Sequence, residues 1–251
     1  MEVFDTHIHS EGRSVEDLSK MVEKGIKIAI TCAFYPIQPL FQETLIDLFR
    51  KLTIYERRRG ERAGMEIYAA VGIHPRCIPP EYSRILEFME TNDGWVAFGE
   101  IGLETGDAKE VDVFREQIKL AKKIDMRCII HTPRRNKEKI TAKILQILND
   151  LSFPEELAVI DHVTMETADE ILKAGYHVGL TVQPGKLTEK DVYEIVSRFG
   201  AEKTVLNSDT GFSRSDMFAT VKAAEYLLEN GVDKKDVEKL AYKNAREFFG
   251  I

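Results

Sequence analysis

Eight short apolar runs, each followed by a longer stretch in which apolar residues recur every three to four positions, constrain this chain more than any other feature. The runs lie at 2–8, 27–32, 66–73, 94–99, 126–130, 157–161, 177–182 and 203–208. Between them Val111, Phe114, Ile118 and Ala121 share one helical face, as do Val192, Ile195, Val196 and Phe199. Ser14 three residues before Asp17, with Gly25 further on, and Thr188 ahead of Glu189, Lys190 and Asp191 read as helix boundaries. Strands that alternate with helices pair in parallel, because a parallel neighbour is reached only by a crossover. Eight such units in 251 residues, without a Ser/Pro-rich linker or an internal repeat, match a (β/α)8 TIM barrel of about 250 residues. The expectation is a single α/β domain over residues 1–251. A doubly wound sheet would carry a glycine-rich phosphate turn after its first strand, where this chain has His7-Ile8-His9-Ser10.

Charge narrows the partners. Asp and Glu number 42 against 35 Lys and Arg, a formal charge of −7, which excludes stable duplex-wide nucleic-acid binding by bulk charge. No apolar run reaches the roughly 20 residues of a membrane helix, and residues 1–8 enter a strand without a charged leader and signal core. A cytoplasmic protein with no membrane partner is therefore expected. Cys32, Cys77 and Cys128 are odd in number and lack zinc-ligand spacing, so they read as reduced residues.

Five of the six histidines, His7, His9, His74, His131 and His162, stand at or just beyond the carboxyl end of an expected strand. In a parallel barrel those ends open on one rim, where active sites are built. His177 opens the seventh strand at the opposite rim and reads as structural. His7 and His9 lie two apart on a strand, so their side chains point the same way. Glu100 after the fourth strand and Asp209 after the eighth bring two carboxylates to the four imidazoles of His7, His9, His131 and His162. Six such groups exceed what one four-coordinate ion needs, which favours two divalent ions: zinc first, with manganese, magnesium, cobalt or nickel as other occupants. One ion would take His7, His9 and Asp209, the other His131 and His162, and Glu100 would bridge them. A polar barrel mouth without metal is the bland alternative.

These residues resemble the TatD-type metal-dependent hydrolases of the amidohydrolase superfamily, over nearly the whole chain and in order. Phe4-Asp5-Thr6-His7-Ile8-His9 looks like the family's opening motif, Gly72-Ile73-His74-Pro75 its second and Phe98-Gly99-Glu100-Ile101-Gly102-Leu103 its third. Cys128-Ile129-Ile130-His131, Asp161-His162 and Asn207-Ser208-Asp209 follow at strand ends, and residues 244–250 resemble the family's carboxyl-terminal helix. The resemblance implies a TIM barrel and the metal ligands His7, His9, Glu100, His131, His162 and Asp209, with His74 near substrate. Three loops depart from the family pattern: Glu104-Thr105-Gly106, Val163-Thr164-Met165-Glu166 and Thr210-Gly211-Phe212. All three face substrate, which marks a divergent branch with its own specificity.

Water between two divalent ions becomes hydroxide near neutral pH, and the ions polarise an ester or phosphoryl group, so hydrolysis is the expected reaction. Asp209 is the expected general base. The strand-to-helix loops hold Arg13, Arg76, Arg134, Arg135, Lys137, Lys186 and Arg214 against Glu11, Glu104, Asp107 and Glu166, a balance of +3 in a chain of −7. Guanidinium forks suit phosphate oxygens, which points to phosphodiester cleavage in a phosphorylated small molecule or a nucleic acid end, a DNase by resemblance. His74, Arg76, Arg134, Arg135 and Phe212 are the expected substrate contacts, Phe34 and Tyr35 further stacking candidates. The alternatives are an amidohydrolase or lactonase cutting C–N or C–O bonds at a carbonyl, and a non-catalytic metal-binding barrel. A PHP-type phosphoesterase also opens on His-x-His, but the Gly-Glu-Ile-Gly-Leu motif and the eight-unit count argue against it.

Overall fold

The computed structural model describes residues 1–212 and 214–251. Among them eight strands form one sheet: β1 (Val3–Ile8), β2 (Ile26–Cys32), β3 (Glu66–Val71), β4 (Ala97–Gly102), β5 (Cys128–His131), β6 (Ala158–Asp161), β7 (His177–Thr181) and β8 (Thr204–Asn207). Their spatial order is their chain order, and every pairing is parallel. Hydrogen bonds from Asp209 N to the His7 carbonyl (2.9 Å) and from His9 N to the Thr210 carbonyl (2.7 Å) join the two ends of the sheet. The result is a (β/α)8 barrel.

The helices that cover it are α1 (Val15–Glu23), α2 (Glu43–Arg50), α3 (Arg57–Ala63), α4 (Ser83–Thr91), α5 (Ala108–Lys123), α6 (Lys137–Asp150), α7 (Met165–Lys173), α8 (Glu189–Phe199), α9 (Ala219–Glu229), α10 (Lys234–Glu238) and α11 (Asn244–Phe249). Ser14 caps α1 by accepting from Asp17 N, and Thr188 and Asp191 form a reciprocal capping box on α8. Phe114, Ile118 and Ala121 of α5 and Val192, Ile195 and Val196 of α8 are buried, as their spacing requires. None of the described helices is long and apolar enough to cross a membrane. All three cysteines are free and buried.

Strand side chains divide into two apolar layers. Ala29, Val71, Phe98, Ile130, Ile160 and Leu180 pack outward with the helices, whereas Phe4, Ile30, Ala70, Ile129, Val159 and Val205 form a separate inner cluster with Phe248 and Phe249 of α11. Strict alternation from Phe4 would send His7 outward. A register shift between Asp5 and Ile8 breaks it, leaving Ile8 in the outer layer and freeing His7 to turn inward.

A second shift, between Phe98 and Ile101, turns Glu100 the same way in β4. That strand runs three residues later than the apolar run at 94–99. Gly94 has φ +102° and Trp95 packs against Phe88, so both belong to the preceding connection, while Gly99 and Gly102, poor strand formers, lie inside the strand. Glu100 therefore sits within β4 and not after it. Similarly, β5 starts at Cys128 because Met126 N is bonded back to the Ala121 carbonyl at the end of α5, and it runs on through His131.

Candidate metal centre

The six expected ligands come together at the carboxyl ends of the strands. His7 is in β1, His9 just beyond it, Glu100 in β4 and His131 last in β5. His162 and Asp209 follow β6 and β8 in left-handed backbone, at φ +62° and +47°. His9, Glu100, His131, His162 and Asp209 line a cavity of about 640 Å³, with His7 wholly buried behind them.

Hydrogen bonds at Nδ1 orient the imidazoles of His7 and His9. His7 donates Nδ1–H to Asp161 Oδ2 at 2.7 Å and His9 donates Nδ1–H to the Cys32 carbonyl at 3.0 Å. Both are left with Nε2 aimed at the same point. His7 Nε2 stands 3.3 Å from Glu100 Oε2 and 3.7 Å from Asp209 Oδ1, and His9 Nε2 stands 3.5 and 3.2 Å from the same atoms. Ligands at roughly 2.0–2.1 Å from a tetrahedral ion are separated by about 3.3 Å, and these four separations lie near that value. His7 Nε2 is also buried without a hydrogen-bond partner, which a cation would supply.

The other oxygen of Glu100 serves a second group. His131 Nδ1 and His162 Nε2 each lie 3.0 Å from Glu100 Oε1. His131 Nε2 is held by Glu104 at 2.9 Å, and His162 Nδ1 by the Thr181 hydroxyl at 2.9 Å. Burial opposes a charge on His131, yet the carboxylates on its two nitrogens outweigh it and raise its pKa. Burial and the Lys186 ammonium hold His162 far below the usual range, hence neutral. Burial alone would push Glu100 upward, but the imidazoles of His7, His131 and His162 hold it well below the ordinary carboxylate range. Asp209 is likewise held well below by Lys186, His9 and His7 despite its burial, with Lys186 bonded to Oδ2. Among the described residues three groups have the spacing to hold an ion: His7, His9 and Glu100; His7, Asp161 and His162; and His74, Glu100 and His131.

His74 lines the same cavity but differs in its proton. Its Nδ1 accepts the backbone N–H of Arg76 at 3.0 Å, so Nε2 carries the hydrogen and faces Glu100 Oε2 at 3.9 Å. Burial and the neighbouring His131 keep it neutral. Arg76, Arg134 and Arg135 reach the cavity wall, as does Phe212, 6.0 Å ring to ring from Phe34. Two of the rim cations counted in the sequence turn elsewhere: Arg13 bonds Thr210 and Ser215, and Lys137 bonds Thr132 and the His162 carbonyl. Asp161 and Glu104 are the groups that sequence reasoning passed over as supports. The signal for Asp161 was a carboxylate closing the apolar run Ala158-Val159-Ile160 at the inward position set by Val159.

Residues 4–250 match the family model described as TatD related DNase. The chain is 38% identical over 254 residues to an uncharacterized metal-dependent hydrolase of Methanocaldococcus jannaschii, covering 99% of this chain and 100% of that one. A crystal structure of a TatD-like protein from Archaeoglobus fulgidus superposes with a TM-score of 0.88 at 46% identity, covering 99% and 100%. The beta-aspartyl dipeptidase of Fervidobacterium islandicum, at 16% identity and a TM-score of 0.74 over 99% of this chain and 75% of that one, shares the fold. The barrel and the matches agree: the chain belongs to the TatD-related DNase family and is a TatD-type metal-dependent hydrolase.

Proposed function

We propose that this protein hydrolyses phosphodiester bonds at a centre of two divalent ions, zinc foremost, held by His7, His9 and Asp209 on one side and His131 and His162 on the other, with Glu100 between. The observation that carries the reading is the division of Glu100, whose Oε2 faces the first histidine pair and whose Oε1 faces the second. Imidazole and carboxylate donors suit zinc, manganese, cobalt and nickel, and magnesium where carboxylates dominate. Bound there, such ions supply Lewis acidity and an activated water.

The chain's own groups do the rest. Asp209, kept ionised by Lys186, takes the proton of the attacking water and delivers it to the leaving oxygen. His74 donates Nε2–H to a phosphoryl oxygen. Arg76, Arg134 and Arg135 pair with the remaining phosphate oxygens, and Phe34 and Phe212 offer ring faces to the adjoining group. A cavity of about 640 Å³ suits a small phosphodiester or a nucleic acid end, and a net charge of −7 disfavours holding a duplex by bulk charge.

The test is hydrolysis of bis(4-nitrophenyl) phosphate by the metal-reconstituted protein, beside a lactone and a carboxyl ester, with Asp209→Asn as the blank. Phosphodiester turnover that falls by roughly two to four orders of magnitude in the variant is expected. Lactone or ester turnover alone would move the protein to carbonyl cleavage and make the rim cations incidental.

A further inference from the structure

Beneath the ligands, the inner face of the barrel carries polar side chains: Asp161 of β6 and Asn207 of β8, both buried, beside Gly179 of β7. Asp161 and Gly179 are register partners on adjacent strands, so side chains at both would stand abreast. Only one is there. The Asp161 carboxylate leans across the glycine to reach His7 Nδ1 at 2.7 Å. A Cβ placed on Gly179 would lie 1.6 Å from Asp161 Oδ1 and 2.7 Å from its Cγ, well inside any tolerable contact.

Backbone conformation does not explain this glycine. Gly179 is absent from the ten glycines with positive φ and lies in regular strand, where alanine fits without strain. What glycine supplies is the space taken by the carboxylate. That carboxylate fixes the proton of His7 on Nδ1 and so aims the lone pair of Nε2 toward Glu100 and Asp209.

We propose that Gly179 is a positioning residue of the metal centre, which acts by leaving room for Asp161 to hold His7 in its ligating tautomer. The proposal rests on the two-metal reading for its consequence, though not for its geometry. It makes an unusual prediction, that a methyl group on β7 and the loss of a carboxylate on β6 are the same lesion.

The experiment uses the full chain with Gly179→Ala, Asp161→Ala and the double substitution. Long-range 15N–1H spectra of the metal-stripped protein at alkaline pH, where the imidazole is neutral, report the His7 tautomer, and calorimetric titration with zinc chloride reports affinity. The His7 Nδ1–H signature is expected in the unsubstituted protein and lost in both single variants, with zinc affinity falling about 10- to 100-fold in each. In the Asp161→Ala background the added methyl costs little further, only the small yield of Asn207 Nδ2, 3.1 Å from it. Gly179→Ala that keeps the signature and the affinity would overturn the proposal, as would a double variant in which the two losses multiply. If Gly179→Ala fails to fold, recovery of folding in the double variant supports the clash with Asp161, and failure of both refutes it. Absence of phosphodiester turnover would sink only the substrate reading, because neither the tautomer nor zinc binding depends on substrate.

Discussion

The backbone N–H of Arg76 donates to Nδ1 of His74 at 3.0 Å, and this single contact separates His74 from the four imidazoles around it. A neutral imidazole that accepts at Nδ1 has its proton on Nε2 and no lone pair to offer a metal there. His74→Ala should therefore leave metal content unchanged and lower kcat/KM for a phosphodiester by about two orders of magnitude, the usual effect of losing a preorganised donor. Metal analysis beside steady-state kinetics checks this. Loss of an ion in the variant would make His74 a ligand instead.

Glu100→Gln keeps the size of the side chain and removes the charge that lies between the two histidine pairs. Stoichiometry should drop from two ions per chain to one or fewer at micromolar metal. Two ions retained at full affinity would refute a bridging role for Glu100.

Arg134 and Arg135 are both exposed at the cavity wall, so their replacement costs little stability. Arg134→Ala with Arg135→Ala should raise KM for phosphodiesters about tenfold while leaving neutral esters unaffected. An equal loss on both substrate types would count against phosphate recognition.

His177 lies at the far end of the barrel from the candidate metal centre, its ring 4.8 Å from Phe248 and its buried Nδ1 without a hydrogen bond. Burial, with Lys203 adding to it, holds its imidazole down at about 4. An unfolded chain titrates the same group near 6.5. Above that pH neither state is charged and the residue contributes no pH dependence. As pH falls from 6.5 to 4, the unfolded chain takes up a proton that the folded one resists, so stability declines. His177→Phe should lose less stability than the unsubstituted protein across that window, by about 1 kcal/mol after allowing for the ring's partial exposure. Parallel melting curves at pH 7 and pH 4.5 measure the difference.

Much of this molecule is legible in its sequence. Eight apolar runs predict eight strands, and all eight form, because a run of four to eight apolar residues between helical periodicities has few other places to be buried. Their edges were less legible. The run at 94–99 misplaces β4 by three residues, since Trp95 and Val96 carry a strand-like pattern but belong to the connection, while Gly99 and Gly102 hide a strand behind poor propensity. Among the candidate site residues, His7, His9, His74, Glu100, His131, His162 and Asp209 share one end of the barrel because each stands at or near a strand's carboxyl end and the strands are all parallel. Arg13 and Lys137 shared that place too and still turned away, toward Thr210 and the His162 carbonyl. A long cationic side chain is directed by acceptors that only the folded chain provides.

The sequence by itself determined the class of fold and the chemical character of the rim, since period, run length and residue type are local and survive without knowledge of neighbours. Tertiary structure alone decided the inward turn of His7 and Glu100 through shifts of register, the proton on each imidazole, and the use of Gly179 as room for Asp161. Each of those depends on an atom from another strand a few ångströms away and many residues distant in the chain, and no local pattern encodes that distance.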